Sequence, residues 1–96
     1  MSQHRLGIGF VGSGFMTRFH LQSFVGVRDA DVLGVWSPTR DNADGAAELA
    51  RSLGIGACRA YDSLAALVEA PEIDALWIVG PNHKRLEHAR EICALL

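Results

Sequence analysis

Apolar residues in this chain fall into two patterns that take turns: short unbroken runs, and longer stretches with a period of three to four. Residues 5–11, Arg-Leu-Gly-Ile-Gly-Phe-Val, make a run too short for a helix and closed by Gly12-Ser13-Gly14, which predicts a buried strand and then a turn. Next, Phe15, Met16, Phe19, Leu21, Phe24 and Val25 fall mostly at helical spacing, so a helix over 15–25 is expected to lay that face on a sheet. Residues 32–36, Val-Leu-Gly-Val-Trp, read as a second strand, punctuated by Ser37-Pro38. Ala43, Ala46, Ala47, Ala50 and Leu53 mark a second helical face, stopped by Gly54.

The pattern repeats in the second half. A weak strand at 57–60 leads to Asp62-Ser63, a helix cap before Leu64, Leu67 and Val68, with Pro71 beyond the helix end. Residues 73–79 give the strongest strand, apolar at nearly every position, as expected where both faces are covered. Pro81-Asn82 opens a fourth helix whose Leu86, Ala89, Cys93 and Leu96 share one stripe. Four strands alternating with four helices, through connections too long for hairpins, predict an α/β domain with a parallel sheet wound by right-handed crossovers.

At 96 residues the chain holds one small domain, taken as 1–96, and its 49% hydrophobic and 21% charged residues are those of an ordinary globular protein. Nine Lys and Arg against eleven Asp and Glu leave a net charge of −2 without a basic stripe, so neither a nucleic acid nor a membrane surface is an expected partner. Cys58 and Cys93 have no CxxC spacing and read as reduced, core-type thiols. No unbroken apolar stretch, that at 75–79 included, exceeds five residues, far short of the ~20 residues of a membrane span. With no hydrophobic signal core ahead of Gly7, Gly9 and Gly12, a cytoplasmic location is expected.

The sharpest chemical feature is Gly12-Ser13-Gly14-Phe15-Met16-Thr17, a GxGxxG pattern with Thr17 in place of the last glycine. Between a first strand and a first helix, the first glycine permits a tight turn and the second lets backbone approach a pyrophosphate. The helix N-terminus then offers amides and partial positive charge. Thr17 is expected to shift the helix-strand contact slightly without abolishing it. About twenty residues on, where such a domain meets the adenosine ribose, stand Ser37, Thr39 and Arg40 in place of an acid. No carboxylate there repels a 2′-phosphate and Arg40 suits one, so NADP is expected ahead of NAD. The plainer reading makes Ser37-Pro38-Thr39 a helix cap and Arg40 a solvated residue partly neutralised by Asp41.

Three segments, Gly9-Phe10-Val11-Gly12-Ser13-Gly14-Phe15-Met16 with His20 following, Val35-Trp36-Ser37-Pro38-Thr39-Arg40, and Asp74-Ala75-Leu76-Trp77-Ile78-Val79-Gly80-Pro81-Asn82-His83, together resemble the N-terminal part of the glucose-fructose oxidoreductase, inositol dehydrogenase and rhizopine-catabolism family of NAD(P)-dependent oxidoreductases. The resemblance implies a Rossmann-type dinucleotide-binding domain. It places Gly12, Gly14, Phe15 and Met16 at the pyrophosphate, Ser37, Thr39 and Arg40 at the adenosine ribose or its phosphate, and Gly80, Pro81, Asn82 and His83 at the nicotinamide end. Where that family carries a further His two positions after His83, this chain has Arg85.

The family continues with a strand ending in Glu-Lys-Pro and a large sheet domain that forms the substrate pocket, and Leu96 precedes both. The expectation is therefore a domain truncated after its fourth βα unit and inactive alone, since hydride transfer needs a second surface to position the donor carbon. The resemblance implies a sugar, polyol or related alcohol as substrate of the full-length protein. A non-catalytic NADP-sensing or interaction module with the same fold is the alternative.

The remaining candidates are weaker. His83 and His88, five apart, do not stack on one helix face, and no metal site is expected among them, His4 and His20. His20 reads as a packing or capping residue; His83 stays open between a cofactor contact and a first-turn helix residue. Trp36 and Trp77 read as strand packing. A parallel strand at 73–79 left at the sheet edge is expected to favour homo-oligomers.

Overall fold

In a computed structural model, which describes residues 5–12, 15–27, 29–79 and 82–96, with the backbone alone at 15, 16, 82 and 83, the first apolar run becomes strand β1 (Leu6–Val11). Helix α1 (Phe15–Ser23) follows and runs into one 3-10 turn at Phe24–Gly26, and then come β2 (Ala30–Trp36) and α2 (Arg40–Ser52). The second half supplies β3 (Arg59–Ala60), α3 (Leu64–Glu69), β4 (Ala75–Ile78) and α4 (Asn82–Leu95). The sheet order is β3-β2-β1-β4 and every pair is parallel, as the alternation of runs and helical faces predicts. Parallel strands need crossovers, and these deposit helices on both faces.

One core lies under α1 and α2, where Ile8, Phe10, Val32 and Val35 meet Leu21, Phe24 and the alanines of α2. Ala43, Ala46, Ala47 and Ala50 are all buried, which lets α2 sit close to the sheet. Gly54, at φ 70°, ends it where the sequence places the stop. The second core joins Val11 to Leu64, Leu67 and Ile92 beneath α3 and α4. The Ser63 hydroxyl accepts the Ala66 amide at 3.0 Å, the expected cap of α3.

Pairing between β1 and β2 slips by one residue after Ile8, so Val32 faces Ile8 and Gly34 faces Gly9, with Leu33 left over as a β-bulge. The two facing glycines make a bare patch that seats Leu67. A Cβ built on Gly34 would stand 2.7 Å from Leu67 Cδ1 and 2.7 Å from the Tyr61 ring.

Four expectations change on the structure. Over α1 and the 3-10 turn that follows, the buried positions among the described side chains are Thr17, Leu21 and Phe24, while Phe19 and Val25 face out. Aromatic residues at both spacings make two candidate faces, and the sheet takes the one aligned with Phe10, which meets Phe24 edge-on at 5.8 Å. On α4 the stripe Leu86, Ala89, Cys93 and Leu96 is not the packed one, for Leu86 is 61% and Leu96 88% exposed. The helix instead buries His88 and Ile92, four apart, against the α3 side. Strand β4 lies at the sheet edge with both faces only partly covered, and Trp77 keeps 41% of its surface exposed. Finally, only Cys58 is core-type, since Cys93 is exposed. No helix among the described residues is long and apolar enough to cross a membrane.

The amino end of the sheet is tied shut by polar groups. Arg5 grips Asp31 through Nε and Nη2, at 2.9 and 2.8 Å, and holds that carboxyl below its ordinary range. Asp74 accepts the Gly7 amide through Oδ2 and returns its own amide to the Gly7 carbonyl, both at 2.8 Å. The opposite, carboxyl end is left for other uses.

Two consequences are measurable. Gly34→Ala forces Leu67 or Tyr61 to move and is expected to destabilise the fold by about 1–3 kcal/mol, read from urea unfolding. Burial pushes the Cys58 thiol from 9.0 up to about 12. Burial, and then the hydrogen bond donated to the Glu72 carboxylate, pushes the Tyr61 phenol from 10.0 up to about 12. Both groups therefore keep their protons in the fold at pH values where the unfolded chain has lost them. Stability is fully present below the unfolded pKa values and falls as pH rises from about 9 toward about 12, and Cys58→Ala makes that fall shallower.

Candidate functional site at the carboxyl ends of the strands

Three strand ends meet at one level of the sheet. The Gly12 amide donates to the Trp36 carbonyl at 2.7 Å, and the Val79 amide to the Val11 carbonyl at 2.8 Å. Gly12 itself is buried and sits at φ 116°, a conformation that side-chain-bearing residues rarely adopt, so the chain leaves the sheet there because the residue is glycine. Its own amide is spent on β2, and Gly12 contributes shape and not a donor. Helix α1 begins three residues later, and the first amides of a helix have no carbonyl inside it to bond. The backbone at Phe15 and Met16 is thus placed to bind an anion, while Gly14 lies outside the described residues. Thr17, standing where the pattern expects a third glycine, is fully buried, and its Oγ1 has no hydrogen-bond partner among the described residues.

The segment after β2 forms the next side. Ser37 is half-buried and its Oγ accepts the Thr39 amide at 3.4 Å. Thr39 is the N-cap of α2 by position, with the Asn42 and Ala43 amides bonded to its carbonyl at 3.1 Å, yet its hydroxyl makes no capping bond. Arg40 does not pair with Asp41. Its Nε donates to Asp44 Oδ1 at 2.9 Å, and its Nη1 pairs with Asp62 Oδ1 from the turn before α3. Asn82 and His83 open α4 at the end of β4, and Gly80 and Pro81 lie outside the described residues.

Between these elements runs a cleft of about 580 Å³, walled by Trp36 and Pro38 on the β2 side, Asp62 and Ser63 before α3, and Lys84, Glu87 and His88 on α4. His88 is 7% exposed, meets Trp36 edge-on at 5.5 Å, and its Nδ1 has no partner among the described residues. A buried orphan imidazole nitrogen is costly unless something else occupies it. The cleft therefore combines an aromatic wall with the Ser63 hydroxyl, the Lys84 ammonium and three carboxylates, Asp62, Glu87 and Glu91, while Gly12, Ser37, Thr39 and Arg40 stand at the same end of the sheet outside its lining. A nucleotide fits this end with its diphosphate at the helix start after Gly12 and its apolar ring against the aromatic wall.

Sequence reasoning brought Gly12, Ser37, Thr39 and Arg40 to this end of the sheet, and the structure places them there. It missed His88 as part of the cleft wall and saw Asp62 only as a helix cap. The available signal for His88 was its spacing of four from Ile92; for Asp62 the sequence carries none, because its partner lies 22 positions away. His20, on α1, packs 5.4 Å from the Trp77 ring, away from this cleft.

Comparison with known proteins agrees with the geometry. Residues 6–95 match a family model described as an oxidoreductase family with an NAD-binding Rossmann fold. No curated protein matches the chain. Among solved structures, the UDP-N-acetylglucosamine 3-dehydrogenase of Acidithiobacillus ferrooxidans is 29% identical with a TM-score of 0.70, over 97% of this chain and 28% of that one. The myo-inositol dehydrogenase of Lactobacillus casei, solved with NAD(H) and myo-inositol, is 22% identical with a TM-score of 0.68, over 95% and 33% of the two chains. The biliverdin reductase of Synechocystis sp. PCC 6803, solved with biliverdin and NADP+, is 26% identical with a TM-score of 0.64, over 94% and 27%. The chain spans about a quarter to a third of the length of these structures.

The orphaned hydroxyl gives a direct test. Thr17→Val keeps the shape and removes the unpaired group, and is expected to raise stability by about 1 kcal/mol in urea unfolding. Thr17→Gly, which restores the glycine pattern, loses buried methyl contacts and is expected to lower it.

Proposed function

The chain belongs to the oxidoreductase family that carries an NAD-binding Rossmann fold, and on that premise we propose that it is the dinucleotide-holding part of an NAD(P)-dependent oxidoreductase acting on a sugar, polyol or related alcohol. The observation that carries this reading is the buried Gly12 at φ 116°, at the junction of an inner strand and a helix start, opening beside the cleft. The amides of Phe15 and Met16 hold the pyrophosphate, Gly12 provides the turn and Gly14 the bare approach. Ser37, Thr39 and Arg40 meet the adenosine ribose, and Gly80, Pro81, Asn82 and His83 line the nicotinamide end. The bound dinucleotide supplies the hydride chemistry, and this chain binds and orients it. Residues 1–96 serve as the cofactor domain, with the substrate held by protein outside them.

The substrate class draws on the dehydrogenases of a sugar nucleotide and of myo-inositol among the similar structures. NADP is the favoured nucleotide and NAD is also accepted. No carboxylate stands at position 37 to repel a 2′-phosphate, and the Thr39 hydroxyl and Arg40 guanidinium are at hand to receive one. Titration with NADPH and NADH, followed by nicotinamide fluorescence, is expected to show both binding, NADPH more tightly. Arg40→Ala is expected to weaken NADPH by about tenfold, the worth of one charge-assisted contact, and to leave NADH nearly unchanged. Failure of both nucleotides to bind overturns the reading; equal or tighter NADH binding overturns the nucleotide preference alone.

A further inference from the structure

We propose that Asp62 is a nucleotide-specificity residue. It holds the Arg40 guanidinium at the turn before α3, withholds that cation from a 2′-phosphate, and so keeps the preference for the phosphorylated dinucleotide small. This rests on the dinucleotide reading above and adds to it a residue from a different crossover.

The argument begins with the charge along the segment that meets the ribose. In residues 37–44 the only cation is Arg40, set against Asp41 and Asp44. Its guanidinium is engaged twice, along the helix by Asp44 and across to the next crossover by Asp62. The second engagement is not needed to cap α3. Capping of α3 is done by the Ser63 hydroxyl, which takes the Ala66 amide, and the Asp62 side chain is 86% exposed. Asp62 nevertheless stands on the cleft wall with Pro38, Trp36 and His88, beside the end of β2, the segment that meets the ribose on the dinucleotide reading.

A 2′-phosphate brings roughly −1.5 to −2 charge toward this cluster, as a phosphate monoester does. To reach it, the guanidinium must turn away from Asp62 or share its donors with it. A 2′-hydroxyl makes no such demand and leaves the ion pair in place. Exposed ion pairs contribute little, so the counterweight is a few-fold and does not reverse the preference.

The test titrates NADPH and NADH against the whole chain, its Asp62→Asn and Asp62→Ser variants, and the same substitutions combined with Arg40→Ala. Release of Arg40 is expected to tighten NADPH about three- to fivefold in both Asp62 variants, with NADH unchanged. The gain disappears in the Arg40→Ala background, because Asp62 acts through that side chain. A NADPH to NADH ratio that stays level or falls in both Asp62 variants overturns the proposal, as does a gain that survives without Arg40. Failure of the unaltered chain to bind either nucleotide sinks the dinucleotide reading itself, a result distinct from binding with an unmoved ratio.

Discussion

A strand hydrogen-bonded along both edges and buried on both faces has no freedom of register, and β1 is that strand. Its pairing with β2 and β4 fixes which residues look up and which look down, so Phe10 enters one core and Val11 the other. A slip of one residue would exchange them and expose the whole set. The same ladder continues one step further, through the Gly12 amide to Trp36 and the Val79 amide to Val11. The glycine turn is thereby held at a fixed height relative to the ends of β2 and β4, and the site inherits its geometry from the core.

The two ends of the sheet are treated differently by the chain's polar groups. At the amino end they are spent on each other, as Arg5 with Asp31 and Gly7 with Asp74 show. At the carboxyl end the Thr17 hydroxyl and His88 Nδ1 are buried without hydrogen-bond partners among the described residues, and the first amides of α1 have no carbonyl inside the helix to bond. On the proposed reading, a net charge of −2 is no bar to an anion there, because the attraction comes from a helix end, with an Arg40 guanidinium that its two carboxylate partners share, and not from the total.

Much of this was legible because some sequence signals admit a single solution. The alanines of α2 lie on one face with charged residues on the other, and Ser63 precedes an apolar helical run, so both elements fall where expected. Helices α1 and α4 carry apolar residues on more than one face, and only the sheet beneath decides between them, which is why Phe19 and Leu86 face out. The bulge at Leu33 was hidden because a run that is apolar throughout gives no mark of which residue is unpaired. In the site, the glycine turn was readable since its conformation demands its residue, whereas the Arg40–Asp62 pair joins separate crossovers and leaves no local trace.

The two tryptophans occupy opposite sides of the sheet. Trp36 borders the cleft with its ring against His88, while Trp77 lies nearly parallel to Phe10, 5.8 Å away, beside α1. Each indole is therefore an intrinsic fluorophore for one layer only. Emission from the first senses what fills the crevice and the state of the imidazole beside it, while the second registers how firmly the opposite layer is closed over the rim strand.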